Sequence, residues 1–337
     1  MRVAIVNQPG IKNLSIVDRP DPEAGPGEVL VRMRAATLNY RDLLTVEGGY
    51  GSKQRTTDFI PLSDGAGEVI SIGKGVKRFK TGDRVVGNFF QEWLAGEPDH
   101  ENMKSGLGGV IDGVASEYRT FPEYGLCHTP DHLTDVEAAS LPCAGLTAWS
   151  AVIDQAKTNP GDIVLTQGTG GVSVFAAQFA ILAGAVVIGT SSSNEKLQRL
   201  KALGVDHTIN YTETPEWARN ARKISDGRGV DVVVEVGGAG TLDQSIKALR
   251  PGGVACLIGV LSGSNHDFRL PLVVTRKIRM EGVTCGNREQ FESMLSAIKQ
   301  HNLRPALDEK TFSLEEIVSA FEYMRAGKHF GKVAIEM

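Results

Sequence analysis

Two different spacings of apolar residues divide the chain near residue 160. Up to about residue 125, apolar positions occur in short alternating runs broken by glycine and proline, namely GEVLVRMRAATL (27–38), GAGEVISI (65–72) and SEYRTFP (116–122). Alternation places successive side chains on opposite faces of a strand, so these runs predict short β-strands. We therefore expect a compact β domain or partial barrel in this part of the chain.

From Asp162 onward, strand-like apolar runs alternate with helical patterns. The strand-like runs lie at 162–167, 185–190, 205–210, 230–236 and 252–260. This alternation is typical of a parallel, doubly wound sheet with helices on both faces. The segment RMEGVT (279–284) predicts the last strand of that sheet.

The C-terminal segment has two helical patterns followed by the strand-like run GKVAIEM (331–337). We expect this final strand to return to the β-rich lobe. A chain of 337 residues exceeds the ~250–300 residues at which a single core stops growing, which also favours two lobes. The predicted division is 1–127 plus 287–337 for the β-rich lobe and 128–286 for the wound sheet.

Composition narrows the class of partner. A net charge of -4 gives no basic surface for nucleic acid, and no apolar run is long enough for a membrane span or a secretory signal. The four cysteines are scattered, with no CxxC pair, so neither a disulfide framework nor a zinc ribbon is predicted. We expect a cytoplasmic protein that acts on a small molecule, with no nucleic-acid or membrane partner.

A glycine-rich turn lies between the first strand and the first helix of the wound sheet, in VLTQGTGGVSVF. Glycine allows backbone N–H groups to approach a pyrophosphate, and the helix N-terminus adds partial positive charge. The alternative is an ordinary glycine-rich turn, but its position at the start of a strand–helix series favours dinucleotide binding. The expected cofactor contacts here are Gly168, Thr169, Gly170, Gly171 and Val172.

The end of the second strand indicates which dinucleotide binds. NAD sites usually place Asp or Glu there for the ribose hydroxyl, whereas this chain has Thr190 and Ser191 followed by Ser192. Hydroxyl groups, with Lys196 and Tyr211 nearby in sequence, suit a 2′-phosphate, so we expect NADPH rather than NADH. The other interpretation is that Ser193 or Asn194 caps the next helix, and both can hold together.

The order of these segments, with LPCAGLTAWSAV (141–152) between the two lobes, resembles the medium-chain dehydrogenase/reductase superfamily over nearly the whole chain. The resemblance implies an α/β protein with a GroES-like catalytic domain, a Rossmann domain and an active site in the cleft between them. It also implies a homodimer formed through the last Rossmann strand, although a tetramer is an alternative.

The zinc alcohol dehydrogenases of this superfamily bind their catalytic metal with Cys, His and Cys. The corresponding positions here are Asn39, Ser63 and Cys143. A catalytic zinc needs three protein ligands, and the four-cysteine structural zinc lobe is absent too, since residues 88–113 contain no Cys. We therefore expect no metal, and Cys143 is interpreted as a small buried packing residue.

The stretch NYRDLLTVEGGYG (39–51) resembles a loop of the zinc-free quinone oxidoreductases and 2-enoyl thioester reductases. Asn39, Asp42 and Tyr50 match that loop in type and spacing. The resemblance makes Tyr50 the hydrogen-bond donor or acid, Asn39 a polar group at the nicotinamide ribose or substrate, and Asp42 an organiser of the loop. Without the resemblance, Tyr50 would be interpreted as an exposed aromatic after a turn, and Arg41 and Glu47 are expected to be solvated.

Further cofactor contacts are expected at the ends of later strands, where doubly wound sheets bind ligands. They are Val236, Gly237, Gly259, Val260, Leu261 and Asn287, with Lys332 as a weaker candidate. The family resemblance also implies that Thr147 lies near the nicotinamide.

The favoured function is a zinc-independent, NADPH-dependent reductase of activated C=C bonds or quinones. A metal-free site suits acceptors whose negative charge is delocalised after hydride addition. One alternative is an NADP-dependent alcohol or aldehyde oxidoreductase of the zinc-type alcohol dehydrogenase family. Another is a nucleotide-binding, crystallin-like protein without catalysis.

Overall fold

The computed structural model describes residues 1–51, 54–265 and 270–337. Backbone proximity divides the chain into two units, the first formed by Met1–Leu146 with Gly286–Met337 and the second by Thr147–Cys285. No helix among these described residues is long and apolar enough to cross a lipid bilayer.

The strands of the described residues are β1 (Arg2–Val6), β2 (Leu14–Asp18), β3 (Glu28–Leu38), β4 (Asp64–Ile72), β5 (Arg84–Gly87), β6 (Tyr118–Pro122), β7 (Leu126–His128), β8 (Ile163–Gln167), β9 (Val186–Ser191), β10 (His207–Asn210), β11 (Val230–Glu235), β12 (Leu249–Leu257), β13 (Arg279–Gly282), β14 (Leu307–Ser313) and β15 (Lys332–Glu336).

The α-helices are α1 (Tyr40–Val46), α2 (Asp135–Ala139), α3 (Leu146–Trp149), α4 (Gly171–Leu182), α5 (Asn194–Ala202), α6 (Trp217–Ile224), α7 (Leu242–Ala248), α8 (Leu270–Thr275), α9 (Arg288–Gln300) and α10 (Ile317–Arg325). Single π-helical turns at Leu141–Gly145 and Ser150–Gln155 flank α3. Short 3₁₀ turns lie at Ile11–Asn13, Asn102–Ser105, Glu123–Gly125 and Leu314–Glu316.

The first unit is built around the long strand β3. This strand pairs antiparallel with β4 on one side and with β15 and β6 along the other, within a sheet of order β14-β15-β3-β4-β5-β7. Its core is a cluster of buried aliphatic and aromatic side chains that includes Val31, Phe121 and Phe321. The final strand thus lies beside β3 in the first unit, as the sequence predicted.

The predicted boundary at residue 127 is too early. Residues 128–146 belong to the first unit, because β7 pairs with β5 and because α2 packs on β3 and β4. The sequence offered no strong break there, since the segment is a run of short helical turns and its packing partners lie far away in the chain.

The second unit contains a six-stranded sheet of order β10-β9-β8-β11-β12-β13 with every pair parallel. This is the doubly wound order in which the connections reverse direction between β8 and β11. Val233 of β11 and Leu165 of β8 are fully buried, as expected for a parallel strand that is covered on both faces. The carboxyl ends of β8 and β11 are therefore adjacent at the point where such sheets bind ligands.

We predict that Gly67→Ala lowers the unfolding free energy by at least about 2 kcal/mol, because close-packed backbone leaves no room for a methyl group. A Cβ at position 67 of β4 would lie 2.1 Å from the carbonyl oxygen of Arg32. Thermal unfolding followed by circular dichroism measures the change. The matched control is Gly282→Ala in β13, where no atom lies within 4 Å of the added carbon and stability should hold. Equal melting temperatures for the two variants would contradict this prediction.

Candidate active site

Three strand ends meet at one edge of the first unit's sheet. The register pairs Thr37 with Asp64 and Leu38 with Val333, so Asn39 follows β3 at the edge where β4 and β15 begin. Lys332, the first residue of β15, therefore lies beside Asn39 although the two are 293 positions apart. The antiparallel pairing alone brings together residues from the beginning, the middle and the end of this unit.

These side chains form a closed ring of hydrogen bonds. The ammonium of Lys332 donates to Asn39 Oδ1 and, at 3.0 Å, to Asp64 Oδ2. Ser63 Oγ donates to Asp64 Oδ1 at 2.7 Å, and Asn39 Nδ2 donates to Ser63 Oγ at 3.4 Å. The backbone N–H of Cys143 also donates to Asp64 Oδ2, at 3.3 Å. Every member of the ring has a partner, which is the condition under which a buried polar network is stable.

The ring contains a buried ion pair. The Lys332 side chain is 2% exposed and the Asp64 side chain is fully enclosed. Removing two charges from water is costly, and their mutual attraction offsets that cost only when each remaining donor and acceptor is also satisfied. Loss of one partner would leave an uncompensated charge inside the unit. From the sequence, Lys332 is only a weak candidate for a cofactor contact, and its pairing with Asp64 is not predicted.

A second buried ion pair holds the loop that follows. Asp42 Oδ2 accepts the backbone N–H of Asn39 at 2.8 Å and so caps α1, while Asp42 Oδ1 accepts from Arg41. Arg41 also donates to the backbone oxygens of Leu107 and Gly108 at 2.9 and 3.0 Å. Burial raises the pKa of the Asp42 carboxyl, and the Arg41 charge opposes that rise. The expectation that Arg41 is solvated was wrong, because its guanidinium is buried and ties α1 to the 107–108 loop.

Tyr50 lies over the Arg41 guanidinium. The ring centroid is 5.1 Å from Arg41 Cζ, and the Phe89 ring also contacts this guanidinium, at 5.3 Å. Tyr50 remains 38% exposed, in agreement with its interpretation as an exposed aromatic residue. Its ring nevertheless contacts the buried Arg41 guanidinium. Burial raises the pKa of the Tyr50 phenol, and the positive charge of Arg41 opposes the rise. The phenol is therefore protonated at neutral pH and has a cation beside it.

The side chains at the three positions that bind zinc in related dehydrogenases do not fit a zinc ion. They are the neutral Asn39 and Ser63 together with the thiol of Cys143, which is half-buried rather than buried as expected. Across the described residues, no group of three or more His, Cys, Asp or Glu side chains could hold a metal. The ammonium of Lys332 instead supplies a cation to Asn39 and to Asp64. Two neutral oxygen donors and one soft donor are a poor set for zinc.

The glycine turn of the second unit lies between β8 and the twelve-residue helix α4. Gly168 has φ +72°, a conformation that favours glycine, and no atom lies within 4 Å of a Cβ built on Gly168 or Gly170. Ser173 Oγ donates to the Gln167 carbonyl at 2.6 Å and anchors the first turn of α4. The open space beside a helix N-terminus is suited to a pyrophosphate.

The backbone of Ser191, the last residue of β9, pairs with that of Tyr211, and the Ser191 side chain is buried. The backbone N–H of Tyr211 donates to the Ser191 carbonyl at 3.1 Å, while Ser192 and Tyr211 are exposed. Ser193 accepts the Lys196 backbone N–H and caps α5, which confirms the capping interpretation of that residue.

A buried carboxylate that was not predicted joins the loop after β11 to the glycine turn of the second unit. Glu235, at the end of β11, accepts from the backbone N–H groups of Gly237 and Gly238 at 2.8 and 2.9 Å. It also accepts from Gln167 Nε2 at 2.8 Å and from the hydroxyl of Ser245. The available signal was Glu235 near the end of the run VDVVVEV, in which Asp231 is the other acidic residue. The network fixes the loop after β11 to the residue that precedes the glycine turn.

The remaining predicted cofactor-binding residues differ in their exposure and in their hydrogen bonds. The loop at Val236 and Gly237 lies against that at Gly259–Leu261, since Leu261 N–H donates to the Val236 carbonyl at 3.4 Å. Val260 and Leu261 are exposed. Thr147 is buried in α3. The Asn287 side chain instead caps α9 and donates to the Gly96 carbonyl at 3.1 Å, so its polar atoms have a structural role that we did not predict.

Comparison with known proteins agrees with this architecture. Residues 25–131 match the model of the alcohol dehydrogenase GroES-like domain, and residues 171–300 match that of the zinc-binding dehydrogenase family. A crystal structure of a putative alcohol dehydrogenase from Sinorhizobium meliloti 1021 superposes with a TM-score of 0.93 at 39% identity, covering 100% of this chain and 98% of that one.

Two relatives cover most of the chain. A zinc-type alcohol dehydrogenase-like protein of Schizosaccharomyces pombe is 41% identical over 93% of this chain and 91% of its own length. An acryloyl-coenzyme A reductase of Sulfurisphaera tokodaii is 28% identical over 94% of each chain. The α/β fold, the GroES-like domain and the Rossmann domain are thereby shown. The chain belongs to the medium-chain dehydrogenase/reductase superfamily, as a zinc-type alcohol dehydrogenase-like oxidoreductase whose family uses a nicotinamide cofactor.

Proposed function

We propose that the protein is a zinc-independent, NADPH-dependent reductase that delivers hydride to an activated C=C bond or a quinone. The observation that carries the proposal is the Tyr50 phenol beside the Arg41 guanidinium, on a loop whose neighbouring side chains suit a lysine ammonium rather than a metal. The similarity to an acryloyl-coenzyme A reductase supports this substrate class.

The proposed substrate class follows from the charge that develops in the reaction. Hydride addition to a simple ketone concentrates negative charge on one oxygen, which a metal or a strong donor must stabilise. Addition to a conjugated C=C bond or a quinone leaves a delocalised enolate or phenolate. Such an acceptor needs hydrogen-bond donors and a proton source, and both groups are available near Asn39 and Tyr50.

Each polar residue of the loop has a role in this proposal. Bound NADPH supplies the hydride. Tyr50 donates a hydrogen bond or a proton to the product anion, and the guanidinium of Arg41 stabilises the resulting phenolate. Asn39 donates to the substrate or to the nicotinamide ribose, and Asp42 keeps the start of α1 in place through its bond to the Asn39 backbone.

The cofactor is proposed to lie along the carboxyl ends of the second unit's strands. Its pyrophosphate binds the turn at Gly168–Val172, and its 2′-phosphate binds Ser191, Ser192, Lys196 and Tyr211. The nicotinamide and its ribose contact the loops around Val236–Gly237 and Gly259–Leu261, with Thr147 nearby. None of the four cysteines forms a disulfide within the described residues, which supports the reducing cytoplasm as the compartment.

A second candidate activity is oxidation or reduction of alcohols and aldehydes, which the name of the Schizosaccharomyces pombe relative favours. Turnover of an enone, a quinone and an aliphatic aldehyde, each followed as loss of NADPH absorbance, separates the two activities. Faster turnover of the aldehyde would favour the second candidate.

We expect Tyr50→Phe to lower kcat with an enone or quinone by about 10²–10⁴-fold while the Kd for NADPH changes less than about twofold, because only the acid is lost. Since burial raises the pKa of Tyr50, the wild type should keep its acid protonated at neutral pH, and its kcat should fall only above the pH at which a free phenol titrates. Steady-state kinetics and nucleotide fluorescence titration measure the two quantities.

Tyr40→Phe is the matched control, because Tyr40 is an exposed phenol on the same loop with no assigned role. It should retain wild-type turnover. A chelator such as 1,10-phenanthroline should leave wild-type turnover unchanged. Full activity of Tyr50→Phe would disprove the assigned role, and stoichiometric zinc in active protein would disprove zinc independence.

The cofactor preference is tested by Ser191→Asp. A carboxylate at this position would repel a 2′-phosphate and accept from a ribose hydroxyl, so NADPH affinity should fall at least about tenfold while NADH affinity rises. Ser191→Ala, which adds no charge, is the control and should weaken NADPH binding only modestly. Equal binding of both cofactors by the wild type would contradict the proposed preference.

We also propose a homodimer in which the β13 strands of two copies pair and extend one sheet across both subunits. Among the described strands, β13 pairs only with β12, so its other edge can accept a further strand. The neighbouring helix α8 has no buried residue, and its Leu270 and Val274 are 63% and 75% exposed. An apolar helix beside an open sheet edge is suited to a second copy of the chain.

Val274→Asp should convert the dimer to a monomer, because the interface would then bury an unpaired charge. Size-exclusion chromatography with light scattering measures the mass. Ile72→Asp changes an exposed apolar residue of the first unit and should leave the dimer intact. A monomeric wild type, or a dimeric Val274→Asp variant, would refute this interface.

A further inference from the structure

The orientation of the Asn39 amide is determined by its neighbours. Lys332 carries an ammonium that can only donate, so the amide atom beside it must be the oxygen Oδ1. An amide in the opposite orientation would place its NH₂ group against the ammonium, with two donors facing each other inside the unit. Lys332 therefore fixes which end of Asn39 points in which direction.

The rest of the ring enforces the same direction. Asp64 accepts from both Lys332 and the Ser63 hydroxyl, so the hydroxyl hydrogen points toward Asp64 and a lone pair of Ser63 Oγ faces Asn39 Nδ2. Every bond of the ring then has one donor and one acceptor. Asn39 Nδ2 has two N–H bonds, and Ser63 is its one acceptor among the described residues. The second N–H has no acceptor among the described residues.

We propose that Lys332 is a positioning residue that holds Asn39 as a hydrogen-bond donor toward the substrate. The atom that binds Asn39 is then an acceptor, such as the carbonyl oxygen of an enone, a quinone or a thioester, on which negative charge develops. This inference rests on the proposed reductase function and adds a specific role for Lys332. Its ammonium does not contact the substrate but orients the Asn39 amide that does. Tyr50 and Asn39 together provide two donors from one loop.

The competing explanation is that Lys332 serves only as the counter-charge of Asp64. The two explanations differ for the double variant Asp64→Asn/Lys332→Met, which removes both charges and keeps similar side-chain volumes. If Lys332 is only a counter-charge, this variant regains both stability and turnover. If Lys332 orients Asn39, the variant regains stability but not turnover, because the amide then lacks the ammonium that orients it.

The test compares wild type, Lys332→Met, the double variant and Asn39→Asp. Lys332→Met alone should melt at a lower temperature, since it leaves Asp64 buried and unpaired. The double variant should melt near the wild-type temperature while its kcat stays about 10–100-fold below wild type and its Kd for NADPH is unchanged. Asn39→Asp keeps a partner for Lys332 but loses the donor, so it should fold and show a similar loss of kcat.

A mutant cycle adds a readout that a structural role would not change. Adding Asn39→Ala to the double variant should lower kcat little further, because both changes remove the same donor. Wild-type kcat in the double variant, or fully additive losses in the cycle, would overturn the proposal.

Neutron diffraction of the wild-type crystal provides a measurement that is independent of turnover. Deuterons on Asn39 Nδ2, directed away from Lys332, support the inference, and deuterons on the atom next to the ammonium overturn it. This result decides the orientation even if the double variant does not fold. A wild type that reduces no enone, quinone or thioester would instead refute the proposed function, and the diffraction result would still stand by itself.

Discussion

The buried ion pair between Lys332 and Asp64 is the constraint on which the candidate site depends. Both charges lie at the edge where β3, β4 and β15 meet, away from water. Because an unpaired charge in that position is so costly, the pair holds the start of β4 and the start of β15 in one arrangement. Asn39 and Ser63 complete the ring, and the loop that carries Tyr50 begins from that arrangement.

The second unit uses a comparable arrangement without a cation. Glu235 is enclosed at the end of β11, and its charge is stabilised by backbone N–H groups, an amide and hydroxyls. In both units, then, a buried carboxylate at a strand end organises the loops of the proposed site. Charged hydrogen bonds suit this task because they are directional and lose much energy when a partner is displaced.

Two buried cations, Lys332 and Arg41, supply the positive charge near the neutral side chains of Asn39 and Ser63. Lys332 orients an amide, and Arg41 lies against a phenol whose pKa is raised by burial. Neither cation is a Lewis acid, so both act by hydrogen bonding and by charge. Such groups stabilise a delocalised anion better than a localised alkoxide, which is why the proposed substrates are conjugated acceptors.

The sequence by itself determined the fold class, the strand–helix alternation and the glycine turn, because apolar spacing and glycine positions are local signals. The resemblance also pointed to Asn39, Asp42 and Tyr50 as a group. Only the tertiary structure decided that Arg41 is buried, that residues 128–146 join the first unit, and that Lys332 meets Asp64. These features depend on strand register and on side chains hundreds of positions apart, for which no short segment carries a signal.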